Sequence, residues 1–515
     1  MRWLVLPLIA CLISVQPPDG LFAQESDSDD PLPTHAVWRN GEFGKTNRFA
    51  GIYRLTFSPD GKLLATRNQE MEIHIIDVAT NQTLCEIEGH EQLIQSVEFS
   101  PDSQLLITAA GANEKVKIWN AKTGKLKSTI DTIALAAYFN DSGTQINVLG
   151  VSEVETYSWP GATLIRKKKW KNQKERAVGM SNDGRLVVMY RSFRNIYQTL
   201  VMDLESRSKV QLSAPTLKPR GMTISPDRNW VAMSFERDPK VRIWDLRDPH
   251  SRTYVLNGHD ATVQTLAFSP DNRFLLTGGW DDTNILWDVI SQKQIQRNAG
   301  HTENVNAAAM APFDFRFATG ASGRTDNSVL LWDYRHRVLL SVDQPQDDFD
   351  EVWKDLGHQE YNLAMTEANR IIQAPDRWLP NVTAVIEKET NNNTTGTVEE
   401  LIKLLDSPKF AIREQAVLQL IKIRVQADSQ IRAAMENATS PEVRYRLNRV
   451  LKQKIVRPAR DVVVERRWSR LIFALEQINS SESQALLKRI ADGHSNIDFA
   501  RTAFESYERN RVRNE

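Results

Sequence analysis

The chain has 515 residues, of which 41% are hydrophobic and 25% are charged, and this composition is typical of a folded protein. The 65 Lys and Arg residues balance the 65 Asp and Glu residues, so the chain has no formal net charge at pH 7. A balanced charge gives no overall attraction to nucleic acid or to an anionic membrane, and binding of either would require a local basic patch.

The first residues have the pattern of a secretory signal peptide. Arg2 precedes an apolar run from Trp3 to Val15, and Ala23 comes just before a polar stretch. The run is too short to span a membrane. We therefore expect residues 1–23 to be removed on export to the periplasm or the extracellular space, leaving residues 24–34 as an acidic linker.

An alternative for the same segment stays open. Leu8 to Cys11 resemble a bacterial lipoprotein box, in which Cys11 would be acylated and anchor the protein. If cleavage falls at Ala23 instead, Cys85 is the cysteine that remains. A single cysteine excludes an intrachain disulfide, a thiolate zinc site and a CxxC redox pair.

A short phrase of an apolar residue followed by Ser, Pro and Asp recurs along the chain, with weaker copies between the complete ones. The apolar residues that open the copies are Phe57, Phe99, Phe139, Met180, Ile224, Phe268 and Met310. Successive copies are 40 to 44 residues apart. The sequence therefore contains seven units that follow one another without a gap.

Each unit has the pattern of a small antiparallel sheet. In unit six, short apolar runs around Phe268, Phe274 and Trp287 alternate with turn residues, and a fourth strand follows. Such a sheet cannot bury both faces alone, whereas seven arranged radially can, and the spacing is that of a β-propeller blade. We predict a seven-bladed propeller over residues 35–345, whose ring is closed either by Ala36 to Arg39 or by Val338 to Leu340.

The units resemble WD repeats. Gly-His dipeptides end at His90, His259 and His301, and strands end in Trp-Asp or Trp-Asn at Trp119, Trp244, Trp287 and Trp332. The resemblance implies that a loop His, a strand Ser or Thr, a turn Asp and the Trp form one hydrogen-bonded set in a blade. It assigns these roles to His259, Thr277, Asp281 and Trp287 in unit six, and to His301, Thr319, Asp326 and Trp332 in unit seven. Unit five has Ser234, Asp238 and Trp244 but no His, and unit two has Asn113 at the Asp position.

After about Asp343 the apolar spacing lengthens to three and four residues, which predicts helices. We expect a helical segment at 346–390, a polar linker at 391–396 and an all-α domain at 397–515. Repeated helix starts within this domain resemble HEAT repeats, with Arg413 and Arg444 where that family often has Arg. The whole order of parts resembles a group of exported bacterial WD-repeat proteins.

Two features of the propeller are candidate partner-binding sites. The basic run of Arg166, Lys167, Lys168, Lys169 and Trp170 is either a solvated edge strand or a site for an acidic glycan or lipid head group, with Trp170 stacking on the ligand. Trp280 is expected on the face that carries the Gly-His loops, where it would anchor a partner or wedge against the next blade.

The charges of the helical part are also uneven. Basic residues dominate between 441 and 470, and acidic residues are frequent from 347 to 400. The two stretches are expected to face each other, or to form a groove for a partner.

Linear motifs for catalysis, metal binding or phosphate binding are missing, including HExxH, GxSxG and the P-loop. We therefore expect no catalytic residue, metal or cofactor, and predict a non-catalytic protein-interaction scaffold that uses the propeller faces and the helices. Two alternatives stay open: a polyanion-binding module at 166–176, and a propeller-based hydrolase or lyase without a linear motif. Nucleic acid is not expected as a ligand of an exported protein.

Overall fold

The computed structural model describes residues 32–41, 51–69, 71–111, 114–170, 175–247, 253–342, 346–390, 398–422, 430–431, 434–435, 438–452, 461–494 and 496–514. The expected signal peptide and Cys11 lie outside these residues. The described residues form a seven-bladed propeller followed by helices, so the predicted fold class is confirmed.

Each blade is a four-stranded antiparallel sheet. Blade 1 holds β2 (Ile52–Phe57), β3 (Leu63–Asn68), β4 (Ile73–Asp77) and β5 (Gln82–Ile87); blade 2 holds β6 (Ser96–Phe99), β7 (Leu105–Ala109), β8 (Lys115–Asn120) and β9 (Leu126–Ile133). Blade 3 holds β10 (Ala136–Phe139), β11 (Gln145–Leu149), β12 (Glu153–Ser158) and β13 (Leu164–Lys169); blade 4 holds β14 (Glu175–Met180), β15 (Leu186–Phe193), β16 (Ile196–Asp203) and β17 (Lys209–Gln211). Blade 5 holds β18 (Pro219–Ile224), β19 (Trp230–Phe235), β20 (Asp238–Asp245) and β21 (Thr253–Leu256); blade 6 holds β22 (Val263–Phe268), β23 (Phe274–Gly279), β24 (Thr283–Asp288) and β25 (Lys293–Ala299). Blade 7 holds β26 (Val305–Met310), β27 (Arg316–Ala321), β28 (Val329–Asp333) and β1 (Ala36–Asn40).

The ring is closed by the first strand of the chain. β1 is the outer strand of blade 7 and pairs antiparallel with β28, with Ala36 opposite Trp332 and Asn40 opposite Val329. The buried indole of Trp38 donates a hydrogen bond to the carbonyl oxygen of Val78 in blade 1, at 3.1 Å. Of the two predicted closures, the one through residues 36–39 is therefore observed, while Val338 ends a short helix.

The Ser-Pro-Asp phrases form the turns between the first and second strands of a blade. In blade 1 the Ser58 hydroxyl donates to Asp60 at 2.5 Å and accepts from the backbone N–H of Leu63 at 2.9 Å. Asp60 in turn accepts from the N–H of Lys62. We call the propeller face with these turns the turn face. The opposite face, which carries the Gly-His loops and the turns between second and third strands, is called the loop face.

The helices are α1 (Arg335–Val338), α2 (Phe349–Asp355), α3 (Tyr361–Gln373), α4 (Pro375–Thr390), α5 (Val398–Leu404), α6 (Phe410–Lys422), α7 (Pro441–Lys452), α8 (Val462–Ile478), α9 (Ser481–Gly493) and α10 (Ile497–Asn514). They build two cores. Apolar residues of α2–α4 and α8–α10 share one core with blades 6 and 7, whereas those of α5–α7 form a separate one. The helical part thus groups across the expected linker at 391–396, which lies outside the described residues.

The first helical core is docked on the turn face of blades 5 to 7. The guanidinium of Arg501 in α10 donates to the backbone oxygen of Asp227 in the blade 5 turn, at 2.7 Å. The guanidinium of Arg273 in blade 6 lies 3.7 Å from the ring centroid of Phe473 in α8. These contacts cover part of the turn face and leave the loop face on the other side of the disc.

The expected pairing of the basic 441–470 stretch with the acidic 347–400 stretch is found only in part. Arg470 donates to the carbonyl oxygens of Leu356 and His358 at 2.8 Å, just after α2. Arg446, in contrast, pairs within the other core, with Glu414 and Glu442 at 2.6 Å. Among the described helices, none combines the length and the apolar character that a membrane crossing requires.

Candidate interaction faces of the propeller

The structure brings the four assigned residues of unit six together. His259 Nδ1 lies 3.0 Å from each carboxylate oxygen of Asp281, and its Nε2 lies 2.8 Å from the Thr277 hydroxyl. The indole N–H of Trp287 donates to the same hydroxyl at 2.9 Å. Buried polar groups must find partners, and this chain of bonds ties the loop before the blade to its second and third strands.

Unit seven has the same arrangement. His301 lies 2.9 Å from both Asp326 and the Thr319 hydroxyl, to which Trp332 donates at 2.7 Å. Burial is the largest single effect and would raise the pKa of Asp326 and of Asp281, but the hydrogen bond and charge of each histidine, together with further hydrogen bonds from neighbouring groups, hold each pKa well below its usual range. Both turn carboxylates therefore remain charged within their networks.

Blade 2 uses a residue that the sequence pattern did not indicate. Asn113 lies outside the described residues, and Glu114 takes the acidic position, 2.8 Å from Nδ1 of His90. Thr108 links His90 and Trp119 as in the other blades. Burial would raise the pKa of Glu114, but hydrogen bonds from the Glu91 backbone, His90 and Lys117 lower it to about 2. A longer side chain one position later reaches the same histidine.

The described residues of blade 5 do not form this network. Asp238 pairs with Arg242 at 2.7 Å, and the Ser234 hydroxyl accepts from the backbone N–H of Gly221 at 3.0 Å. The buried indole nitrogen of Trp244 has no hydrogen-bond partner among the described residues. Without a loop histidine, the turns of this blade are held by local contacts.

The basic run at 166–169 is largely occupied by interactions within blades 3 and 4. Lys167 lies 2.9 Å from Glu153 and 2.5 Å from Glu155, and Lys169 lies 3.2 Å from Glu153. The remaining two bases also have partners: Lys168 donates to the backbone oxygen of Leu204, and Arg166 to the Thr156 hydroxyl. The neighbouring strand β12 thus supplies most of the balancing charge.

Trp170 is not placed to stack on a ligand. Its side chain is only 4% exposed and packs in the core of blade 4 with Met180 and Val187. Its indole N–H donates to the backbone oxygen of Glu175 at 3.3 Å. The expected stacking role of Trp170 is therefore corrected: the ring is an apolar contact between two blades.

Trp280 lies on the loop face, in the turn between β23 and β24, and 42% of it is exposed. Its indole N–H donates to Asn306 of blade 7 at 3.3 Å, and the guanidinium of Arg220 from blade 5 lies 5.0 Å from its ring centroid. The residue therefore contacts the next blade, as one interpretation expected, and still presents much of its ring to solvent, as the other required.

A cluster of titratable residues that no sequence pattern indicated lies on the innermost strands of blades 1 to 3. The Thr56 hydroxyl donates to Glu98 at 3.4 Å, and Arg54 and Tyr138 are close enough to influence the carboxyl. Burial raises the pKa of Glu98 to about 7, against the lowering effects of Thr56 and Arg54. These residues come from three separate repeats, so no linear motif could have revealed them. Among the residues that the structure describes, no three His, Cys, Asp or Glu side chains are grouped to hold a metal ion.

The family comparison agrees with this geometry. Residues 81–120, 250–288 and 292–333 match the family described as WD domain, G-beta repeat. The chain carries WD40 repeats in a seven-bladed propeller. The matched WD40 segments end at the third strands of blades 2, 6 and 7, which are the blades with the histidine networks.

Several WD40 proteins are similar to the propeller part of the chain. It is 24% identical over 301 residues to the WD repeat-containing protein WDS homolog of Arabidopsis thaliana, covering 55% of each chain. It is 26% identical over 300 residues to the nuclear distribution protein PAC1 of Arthroderma otae, covering 54% of this chain and 57% of that protein. It is 26% identical over 226 residues to the periodic tryptophan protein 2 homolog of Dictyostelium discoideum, covering 43% and 20%. The chain therefore spans about half or less of the length of these curated relatives.

Proposed function

We propose that the protein is a non-catalytic scaffold that binds protein partners through the loop face of its propeller. WD40 propellers typically serve as scaffolds for proteins. The observation that carries the proposal is the position of the helices. They dock on the turn face through contacts such as Arg501 with Asp227, while the loop face opposite presents Trp280.

The loop face is suited to this role because it is held in shape before a partner arrives. The ring is closed by β1, and the networks of His90, His259 and His301 tie the loops of three blades to the strands beneath them. A preformed surface loses little conformational entropy on binding, which favours affinity.

The helices of the second core offer an additional surface. Phe410 on α6 and Tyr445 on α7 are largely exposed. Two equivalent contacts support HEAT-like repeats here: Arg413 donates to the backbone oxygen of Ser407, and Arg444 to that of Ala438, each six residues earlier. We propose that this module supplements the propeller in holding partners together.

Affinity capture tests the scaffold function. Two bait proteins are incubated with an envelope extract. One is the unmodified chain of residues 24–515, and the other carries a photo-crosslinking amino acid at position 280. We expect a protein crosslinked at position 280 that, once purified, binds the unmodified chain saturably in calorimetry. Capture of acidic polymer alone, or of no macromolecule at all, would contradict the scaffold function and favour the polyanion or the enzymatic alternative.

We also propose that the protein acts after export, in the periplasm or outside the cell. The support is the pattern of residues 1–23 alone. Mass spectrometry of the mature N-terminus tests it: cleavage after Ala23 is expected, an acylated Cys11 would identify the lipoprotein alternative, and an intact N-terminal segment would overturn export.

A further inference from the structure

Blade 4 carries a hairpin that is longer than the corresponding hairpins of its neighbours. β15 and β16 have eight residues each, whereas β23 and β24 of blade 6 have six. At about 3.3 Å per residue, the two extra positions extend this hairpin by roughly 7 Å on the loop face. Its two-residue turn, Arg194 and Asn195, has positive φ angles of 50° and 62°, which suits the twist of a tight hairpin. We call the hairpin from Leu186 to Asp203 the finger.

The tip of the finger is apolar and exposed. Phe193 and Ile196 face each other across the hairpin, with 70% and 51% of their surfaces exposed. Ser192 and Tyr197 form the next pair down from the tip, and their side chains lie on the opposite face of the hairpin. Tyr190 lies on that same face, with its ring centroid 5.6 Å from that of Tyr197. The finger therefore holds apolar and aromatic side chains beyond the end of the blade, where they are exposed and add little to the core of the propeller.

A line of polar contacts connects the finger with Trp280. The ammonium group of Lys218 lies 2.8 Å from Glu236, which is the main cause of its raised pKa, and Tyr197 and Tyr190 of the finger contribute to the same rise. Arg220 lies 3.8 Å from the same carboxylate, donates to Gln264 at 2.6 Å and covers the ring of Trp280. The side of the finger that carries Tyr190 and Tyr197 faces blade 5, as Val188 and Val201 below it do, whereas Phe193 and Ile196 lie on the side towards blade 3. The Tyr190 and Tyr197 side of the finger, the start of β18 and the blade 6 turn form one surface across blades 4 to 6, which we call the loop-face patch.

The fully exposed charged side chains of the loop-face patch are basic, in a chain whose total charge is zero. Exposed basic side chains at its strand ends and turns are Arg176, Arg194, Lys218, Arg220 and Arg237. The acidic residues of the same turns are mostly engaged: Glu236 by Lys218, Asp238 by Arg242 and Asp281 by His259. Asp282 is half-buried with a raised pKa, and Glu175 is buried and paired with Lys209. The basic run at 166–169 differs, because Glu153 and Glu155 pair with it at close range.

We infer that the loop-face patch binds an acidic peptide segment of a partner protein, with an apolar side chain of that segment packed on Trp280 beside the side of the finger that carries Tyr190 and Tyr197. This inference rests on the proposed scaffold function and names the partner chemistry. The basic side chains favour an anionic ligand, and the exposed rings favour a ligand that also carries apolar side chains. A bare polyanion would use the basic side chains but leave the rings of Trp280, Tyr190 and Tyr197 without an apolar partner, so a peptide satisfies both features of the surface.

Fluorescence anisotropy with the full chain tests the inference. The probe is a fluorescein-labelled peptide with a central phenylalanine and four acidic residues on each side; comparison probes carry glycine at the centre, carry lysines in place of the acidic residues, or are single-stranded DNA of similar charge. The variants are Lys218→Glu with Arg220→Glu, and Trp280→Ala. The matched control is Lys122→Glu with Lys125→Glu, two exposed lysines around the turn between β8 and β9.

We expect the phenylalanine peptide to bind the wild type and the control double variant equally, and to lose at least about tenfold in affinity with either patch variant. The glycine peptide should bind about tenfold more weakly and the lysine peptide not at all. Equal binding to all variants, binding that ignores the central phenylalanine, preference for DNA, or no binding would each overturn the inference. If a crosslinked protein partner still binds the Lys218→Glu, Arg220→Glu chain, the scaffold function stands and the assigned surface is wrong.

Discussion

Arg247 at the end of blade 5 lies 2.5 Å from Glu465 in helix α8. The same guanidinium is 2.8 Å from Asp245 and 3.7 Å from Asp498. Burial alone would lower the pKa of Arg247, but its bond to Asp245 and the charges of Glu465 and Asp498 raise it. A single charged side chain thus joins the propeller to two helices, which fixes the helical core on the turn face.

This relationship predicts energetic coupling across the interface. In a double-mutant cycle with Arg247→Ala and Glu465→Ala, we expect a coupling free energy of about 1–3 kcal/mol, because the pair is largely shielded from water. Urea unfolding of the full chain supplies the free energies. The matched control is Lys293 with Glu360, an exposed pair at 3.7 Å that also joins the propeller to the helices, where coupling should stay below about 0.5 kcal/mol. Additive effects at Arg247 and Glu465 would show that apolar packing alone holds the interface.

The two buried tryptophans Trp287 and Trp244 separate the contribution of the network from that of packing. Both indoles are buried, but only Trp287 donates to a strand hydroxyl, while Trp244 finds no partner among the described residues. Replacement by Phe removes a similar volume in each case, so Trp287→Phe should cost about 1 kcal/mol more stability than Trp244→Phe. Thermal or urea unfolding measures the difference. Equal losses would mean that the indole bond in blade 6 adds nothing net.

The turn carboxylate of blade 6 should matter far more than its neighbour in sequence. Asp281→Asn weakens the bonds to His259 and should cost on the order of 1–3 kcal/mol, whereas Asp282→Asn should be neutral or slightly stabilising, since burial and the charges of Glu303 and Asp281 raise the pKa of Asp282. The pKa of Asp281 in the folded chain lies below its unfolded value of about 3.9, so the charged carboxylate contributes its full stabilisation above about pH 4. The difference in unfolding free energy between the wild type and Asp281→Asn should therefore be largest above about pH 4 and shrink as the pH falls further. Unfolding curves between pH 3 and 7 test both statements.

The repeat spacing was sufficient to predict seven blades because each turn and strand end is encoded within its own repeat. The histidine networks of blades 6 and 7 keep two spacings constant, 18 residues from His to Thr and six from Asp to Trp, so the family pattern could locate them. Relationships between repeats were not encoded in this way. The cluster around Glu98, the burial of Trp170 and the interruption of one helical core by α5–α7 each depend on which distant segments pack together. Local periodicity predicts that a segment is a strand or a helix, but it carries no information on that choice.

Glu98 predicts a pH dependence of stability that its removal should abolish. With a folded pKa of about 7 and an unfolded value of about 4.3, the folded chain holds a proton between these pH values that the unfolded chain has released. The wild type therefore loses stability as the pH rises from 4.5 to 8. Over that range the free energy of unfolding of Glu98→Gln should increase by on the order of 1–2 kcal/mol relative to the wild type, after allowance for the partial exposure of the Glu98 side chain. Urea unfolding at pH 4.5, 6 and 8 measures this. The exposed Glu389→Gln control should follow the wild type; the same slope in Glu98→Gln would contradict the raised pKa.

Ring closure by β1 predicts a sharp boundary for truncation. A chain that begins at residue 42 lacks β1 and with it the buried Trp38, whose indole reaches blade 1, and the outer edge of β28 is then unpaired. Loss of a buried tryptophan alone costs about 3–5 kcal/mol, and an unpaired strand edge favours association between molecules. We expect this chain to melt at a clearly lower temperature and to form larger species in size-exclusion chromatography. The control chain, which begins at residue 32, retains β1 and should behave like the longer protein; if both truncated chains melted alike, blade 7 would have to be stable with three strands.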